Sequence, residues 1–171
     1  TAILVRVITA SHHVRIIGTA VSHCFEDGIK GNLLHDYAVD GNYIHDVGHE
    51  GIDFVNNDDS VIRNNEVYDA GRVGIMVKGG TRDVAIYNNY IHNRNVGLTY
   101  AMTIGGSTDP VSTRDPSLNG FEAWNLVAYN NVIVSEVPGL MDNGISFLGA
   151  KDSAAYNNVV SGAKHNLLLL V

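Results

Sequence analysis

The sequence predicts an all-β fold: one solenoid domain spanning residues 1–171, with about six coils of roughly 23 residues built from parallel strands. Three observations predict it. Gly28, Gly51, Gly74 and Gly97 recur at intervals of 23 residues, each followed by an aliphatic residue (Ile29, Ile52, Ile75, Leu98). A second motif precedes these glycines: Gly41-Asn42-Tyr43-Ile44, Asn64-Asn65-Glu66-Val67, Asn88-Asn89-Tyr90-Ile91, Asn130-Asn131-Val132-Ile133 and Asn157-Asn158-Val159-Val160, with Gly18-Thr19-Ala20-Val21 as a degenerate first copy. Within each repeat the apolar period is two. Ile52 and Phe54 share one side of a strand and Asp53 takes the other, a pattern repeated in Gly74-Ile75-Met76-Val77-Lys78 and Gly144-Ile145-Ser146-Phe147. No stretch carries a helical stripe.

The coils fall at about 11–32, 33–56, 57–80, 81–109, 124–150 and 151–171. Residues 1–10 read as the last strand of a preceding coil. Strands of adjacent coils pair at about 4.8 Å, and the crossover preference makes the winding right-handed. The Asn pairs mark tight turns. Such a turn needs a residue that tolerates the left-handed backbone, and an inward Asn can bond to its counterparts in neighbouring coils as a ladder. Two segments break the repeat. An excursion at 105–123 is too long for a turn, and a shorter insertion occupies 135–143; both are placed to wall one side of the solenoid. The abrupt start and the apolar run Leu167-Leu168-Leu169-Leu170-Val171 predict that the solenoid continues in a longer protein or caps itself by end-to-end self-association.

Composition narrows the partners. The formal charge of −7 and the absence of clustered Lys and Arg argue against nucleic acid and against an anionic membrane. The final apolar run is too short to span a bilayer. Cys24 is the single cysteine, so no intrachain disulfide forms, and it is expected to be buried and inert.

The repeated pattern, aliphatic-x-Asn-Asn-x-aliphatic followed by Gly-Ile-x-aliphatic, resembles the parallel β-helix repeat of the right-handed, pectate-lyase-like β-helix superfamily. That superfamily includes pectate lyases, polygalacturonases, alginate lyases, alginate epimerases and phage tailspikes. The resemblance covers nearly the whole chain. It implies a carbohydrate-active protein, a polysaccharide lyase or glycoside hydrolase acting on an extracellular glycan, secreted or extracellular or else periplasmic. The alternative it leaves open is a non-catalytic glycan-binding or structural module of adhesin or tailspike type. The partner is a polysaccharide or oligosaccharide in either case. In polygalacturonase-like and lyase relatives the substrate groove follows the Gly-Ile strand and the turn before it. No paired-Asp hydrolase motif, diagnostic lyase motif or Asp-Pro-His epimerase signature is present.

In a solenoid a site is read down columns of stacked residues. The outward column on the Gly-Ile strand is Lys30, Asp53, Met76, Thr103 (or Thr99 at strict period) and Ser146. The turn columns before it are Glu26, His49, Arg72, Asn95, Asp142 and Asp27, Glu50, Val73, Val96, Asn143. Hydrolysis needs two carboxylates about 5–5.5 Å apart for retention or roughly 6.5–9.5 Å for inversion. Glu50 with Asp53, or Glu50 with Asp27, is expected to fall in that range, and Glu50 and Asp53 are the candidate acid/base groups. β-Elimination needs a base and a cation that neutralises a uronate carboxylate. His49 is the candidate base, with Lys30 as a further one. Arg72, Lys78, Lys30, Asp27 and Arg94 are the candidate substrate binders. No cofactor is required, although Ca²⁺ on Glu or Asp is an option. The same charges also serve as cross-coil pairs, such as Glu26 over His49 or Glu50 near Arg72. His45, Tyr68 and His92 are expected to stack rather than hold metal. Tyr37, Tyr87, Tyr100, Tyr129, Phe121 and Trp124 are candidate sugar platforms, with Trp124 expected to pack under the excursion.

Overall fold

The computed structural model describes residues 3–109 and 120–171, with side chains from residue 11 onward. Pro110 to Asn119, the middle of the expected excursion, lies outside the described residues. The described residues form strands and turns without a helix, so no helix among them is long and apolar enough to cross a membrane.

The chain opens with β1 (Ile3–Ile17), followed by β2 (Ala20–Ser22) and β3 (Ile29–Asp40). Next come β4 (Tyr43–Val47), β5 (Glu50–Val55), β6 (Asp58–Arg63), then β7 (Glu66–Ala70), β8 (Val73–Lys78), β9 (Thr81–Tyr87). The fourth coil holds β10 (Tyr90–Asn93), β11 (Leu98–Gly105) and β12 (Ala123–Tyr129). The last two hold β13 (Val132–Ser135), β14 (Met141–Leu148), β15 (Ala150–Lys151), β16 (Ala154–Tyr156), then β17 (Val159–Ser161) and β18 (Ala163–Leu170). Every pairing is parallel and joins one coil to the next. β5, β8, β11, β14 and β18 make one face, and β6, β9, β12 with β15 and β16 a second. β1 and β3 bend from the first face into the second. β2, β4, β7, β10, β13 and β17 make the third.

The core is three inward columns. Ile29, Ile52, Ile75, Met102 and Ile145 stack on the first face. Val39, Ile62, Ile86 and Ala128 stack on the second, and Val21, Ile44, Val67, Ile91 and Ile133 on the third. All are buried, each large aliphatic contributing about 1.5–3 kcal/mol of transfer free energy. At the last coil, Leu167, Leu168 and Leu170 of β18 are more than half exposed.

The two residues of each Asn pair divide the work. The first takes the left-handed backbone: φ is 61° at Gly18, 64° at Gly41, 56° at Asn64, 55° at Asn88 and 54° at Asn130 and Asn157. The second builds the ladder. Asn42, Asn65, Asn89 and Asn131 each donate Nδ2–H to Oδ1 of the Asn one coil on at 2.9 Å, ending at Asn158. The same Nδ2 groups reach the carbonyls of Ile16, Val39, Ile62 and Ile86 at 3.0 Å. A buried amide between strand ends thus has its donors and acceptors met.

The glycine column departs from strict period at its fourth member. A Cβ on Gly51 would lie 2.4 Å from Val67 Cγ1 and 2.6 Å from the Gly74 carbonyl, which is why this sharp corner takes glycine. Above Gly74, however, stands the Ala101 carbonyl, not Gly97. Thr103 therefore pairs with Met76 and Ser146. The turn columns shift likewise: Thr99, not Asn95, follows Arg72, and Tyr100, not Val96, follows Val73. The extra residues form the turn 94–97, whose Arg94, Asn95 and Val96 amides converge on the buried Asp69 carboxylate.

Candidate functional site

β3, β5 and β8 run side by side, so Lys30, Asp53 and Met76 stack outward while Ile29, Ile52 and Ile75 fill the core. The turn before each strand is held tightly. Gly28 N–H donates to the Glu50 carbonyl at 2.9 Å and Glu50 N–H to Asp27 Oδ1 at 3.2 Å. This stacks Asp27 on Glu50 at the mouth of the Lys30–Asp53 column.

Lys30 bridges two carboxylates one coil apart, with Nζ 2.7 Å from Asp27 Oδ2 and 2.6 Å from Asp53 Oδ2. Lys78 Nζ approaches Asp53 Oδ1 at 3.8 Å, an ion-pair distance without a hydrogen bond. Asp53 has no exposed surface, Asp27 and Glu50 are buried, and His49 is exposed. One ligand-type atom from each of Asp27, His49 and Glu50 lies within 4.8 Å of the others.

Three acidic groups facing two ammonium groups in one place cannot all ionise cheaply. Burial, the hydrogen bond to Asp27 and the charges of Asp27 and Asp53 push the Glu50 carboxyl up to about 8, with Lys78 pulling back. Burial opposes the charge on Asp27, but hydrogen bonds with Glu50 and Lys30 outweigh it and hold that carboxyl below its usual range. Burial pushes Asp53 up against the pull of Lys78 and Lys30. Burial also opposes the Lys30 ammonium, but Asp53 and Asp27 outweigh it and hold its pKa up. With a proton on Glu50 the cluster is balanced, two carboxylates against two ammoniums.

The structure thus gathers Asp27, Lys30, His49, Glu50, Asp53 and Lys78. Arg72 is exposed in the turn before β8, and among the described residues no ion pair joins it to Glu50. Arg94 lies apart, its amide on Asp69 in the turn after β10. His49 also borders a hollow of about 550 Å³ lined by Phe25, Asp69 and Val96 among others.

Several other expectations resolve here. Tyr37 is fully buried against Phe54, ring centroids 4.9 Å apart, and cannot meet a sugar. Tyr87, Tyr129 and Tyr156 stack on one another at 4.8 and 5.2 Å. Tyr68 stacks on His92 at 4.5 Å, while His92 also bridges Glu136 and Glu66 at 2.8 and 3.1 Å, a contact the spacing did not announce. His23 and Asp46 join His45 in a second small group of metal-ligating types on the exposed third face. Cys24 is half-buried, and burial raises its thiol pKa.

Solved structures share this architecture. The A-module of mannuronan C-5 epimerase AlgE4 from Azotobacter vinelandii superposes with a TM-score of 0.67 at 19% identity, covering 94% of this chain and 46% of that one. An alginate lyase from Paenibacillus sp. str. FPU-7 gives a TM-score of 0.53 at 16% identity, covering 81% of this chain and 55% of that one. At these identities the likeness is one of fold, and the chain spans about half the length of either structure. No curated protein sequence matches the chain. The right handed beta helix region family matches residues 5–160, and with nearly every coil inside that match the chain belongs to this family.

Proposed function

We propose that the chain acts on a uronic-acid polysaccharide by proton transfer at the Asp27–Glu50–His49 group, as a polysaccharide lyase acting outside the cytoplasm. The observation that carries this reading is the buried Asp27–Glu50 carboxyl pair, its ligand-type atoms within 4.8 Å of each other and of His49, set beside two lysines. Lys78, whose contact with Asp53 is the looser one at 3.8 Å, suits a substrate carboxylate; neutralising it acidifies the neighbouring C–H. His49, the exposed member, takes that proton as general base. The C–O bond to the leaving sugar breaks, a C=C bond forms beside the carboxylate, and Glu50 gives its proton to the leaving oxygen. The His49 proton passes to solvent and Glu50 is reprotonated. Asp53, buried beneath the lysines, acts as a positioning residue. Arg72, exposed one coil on, serves as an outer substrate contact, and Arg94 a more distant one.

Hydrolysis through Asp27 and Glu50 fits less well, because their carboxyl oxygens lie within 4.8 Å of each other, closer than a retaining pair stands. Ca²⁺ also fits poorly. It wants six to eight oxygen ligands, whereas the Lys30 ammonium already occupies the Asp27 carboxylate. The catalytic reading therefore expects activity to survive a chelator.

One observation favours a second reading. The Asp27–Lys30–Asp53–Lys78 chain pairs opposite charges from coil to coil, as a non-catalytic glycan-binding or structural module would. An assay on alginate, pectate and chondroitin, following unsaturated products by ultraviolet absorbance together with reducing ends, separates the two. Turnover that is lost in Glu50→Gln and His49→Ala, with folding intact, supports the lyase. Reducing ends without unsaturated product would turn the reading to hydrolysis, and silence on every substrate to the binding module.

A further inference from the structure

On the second face, away from the Asp27–Glu50 group, one outward column runs Asp58, Arg82, Trp124, Lys151. Trp124 is the chain's one tryptophan. Trp124 is 36% exposed, as is Phe121, and the middle of the excursion expected to cover it lies outside the described residues. The Lys151 ammonium lies 4.3 Å from the Trp124 ring centroid and 5.6 Å from that of Phe121. The next residue in each of three successive coils, Asp83, Asn125 and Asp152, takes a left-handed backbone with φ of 56°, 55° and 49°. That kink sets a short polar side chain beside each member of the column. Arg82, Asp83, Trp124, Asn125 and Asp152 line a hollow of about 420 Å³.

We propose that this hollow is a second, non-catalytic glycan-binding site that takes one pyranose ring of a polysaccharide. This rests on the glycan reading above but uses none of its catalytic residues. The chemistry is that of sugar recognition. A pyranose has one apolar C–H face and a rim of hydroxyls, and it needs an aromatic surface flanked by planar donors and acceptors. Trp124 and Phe121 supply the surface. Asp83 and Asp152 accept from hydroxyls, and Asn125 donates and accepts. The Asn125 amide is already fixed by its 2.6 Å bond to Asp83 Oδ1. Arg82, more than half exposed and 3.5 Å from Asp58, offers a planar donor fork at the rim. Lys151 covers the ring while no sugar is bound, and on binding it is free to pair with a carboxylate on the sugar. The left-handed polar residue recurs as Asp36 and Asp59 in the preceding coils, but among the described residues only this coil sets exposed apolar aromatic rings, Trp124 and Phe121, beside it.

The sole tryptophan makes the test specific to this site. Tryptophan emission is titrated with alginate oligosaccharides and with neutral oligosaccharides, in the wild type and in Glu50→Gln. A saturable emission change with either sugar, unaltered by Glu50→Gln, is expected. Asp83→Ala and Asn125→Ala should each weaken binding about tenfold, as should Trp124→Ala followed by calorimetry, while Trp124→Phe retains most of it. No emission change with any oligosaccharide would overturn the proposal, as would binding that Asp83→Ala and Asn125→Ala leave untouched. The two readings fail separately. Unsaturated product without an emission change sinks this site alone, and an emission change without turnover sinks the lyase alone.

Discussion

Asn88 and Asn89 are adjacent and chemically identical, yet the structure gives them opposite energetic weights. Asn89 is buried, and its side chain makes four hydrogen bonds. It accepts from Asn65 N–H at 3.0 Å and Asn65 Nδ2–H at 2.9 Å, and it donates to the Ile62 carbonyl at 3.0 Å and Asn131 Oδ1 at 2.9 Å. Truncation to Ala orphans one buried backbone N–H and one buried carbonyl, at about 1–3 kcal/mol each. The two side-chain bonds cost less, because Asn65 Nδ2 keeps the Val39 carbonyl and Asn131 Oδ1 keeps Asn89 N–H. The expected loss is about 4 kcal/mol, a large part of the 5–15 kcal/mol that holds a typical domain together. Asn88 is exposed and has one long contact, 3.4 Å to Asn64 Oδ1, so Asn88→Ala loses mainly left-handed backbone tolerance, about 1 kcal/mol. Urea unfolding followed by circular dichroism reads both. With a slope of about 2 kcal/mol/M, the midpoint falls by about 2 M for Asn89→Ala and about 0.5 M for Asn88→Ala. Equal shifts in the two variants would refute the division of labour within the Asn pairs.

Three further outcomes follow from the site and the corners. Glu50 titrates near 8 in the folded chain against 4.5 for an ordinary glutamate, so its contribution to stability is full below the lower value and lost as pH rises through the upper. Asp27, held low, works oppositely, its contribution lost as the solution turns acidic. Urea midpoints of the wild type should fall between about pH 5 and 8, and Glu50→Gln, which imitates the protonated form, should flatten that slope; an unchanged slope would place the proton elsewhere. Lys30→Met leaves Asp27 without its ammonium and Asp53 with only the 3.8 Å contact to Lys78, and should cost about 3–5 kcal/mol, whereas Lys30→Met with Asp53→Leu should recover most of it, by thermal or urea unfolding. If the double variant is no better than the single, the ion pair is not the reason. Gly51→Ala forces a methyl to 2.6 Å from the Gly74 carbonyl and should lower the melting temperature by several degrees, about 2 kcal/mol; Gly18→Ala, with nothing within 4 Å, should show only left-handed strain.

The local rules of the chain were legible in the sequence. A period of two, glycine at the corners and paired Asn at the turns each follow from the chemistry of one residue and its neighbours. They determined the all-β solenoid, its right-handed winding and the stacking of Lys30 on Asp53, since residues one coil apart become neighbours wherever the period holds. What only the tertiary structure decided begins where the period slips. The turn 94–97 wraps the Asp69 carboxylate, a contact across coils that no spacing announces, and it moves Ala101 rather than Gly97 onto Gly74. Burial is likewise a property of the assembled coils. Asp53 and Glu50 are both plain carboxylates in the sequence, but one lies sealed beneath two lysines and the other is buried against Asp27, which pushes its carboxyl up. Lys151 found the rings of Trp124 and Phe121 because two segments of chain one coil apart meet there. Stacking fixes which residues are neighbours, but the local dielectric and the shape of the surface depend on every coil at once.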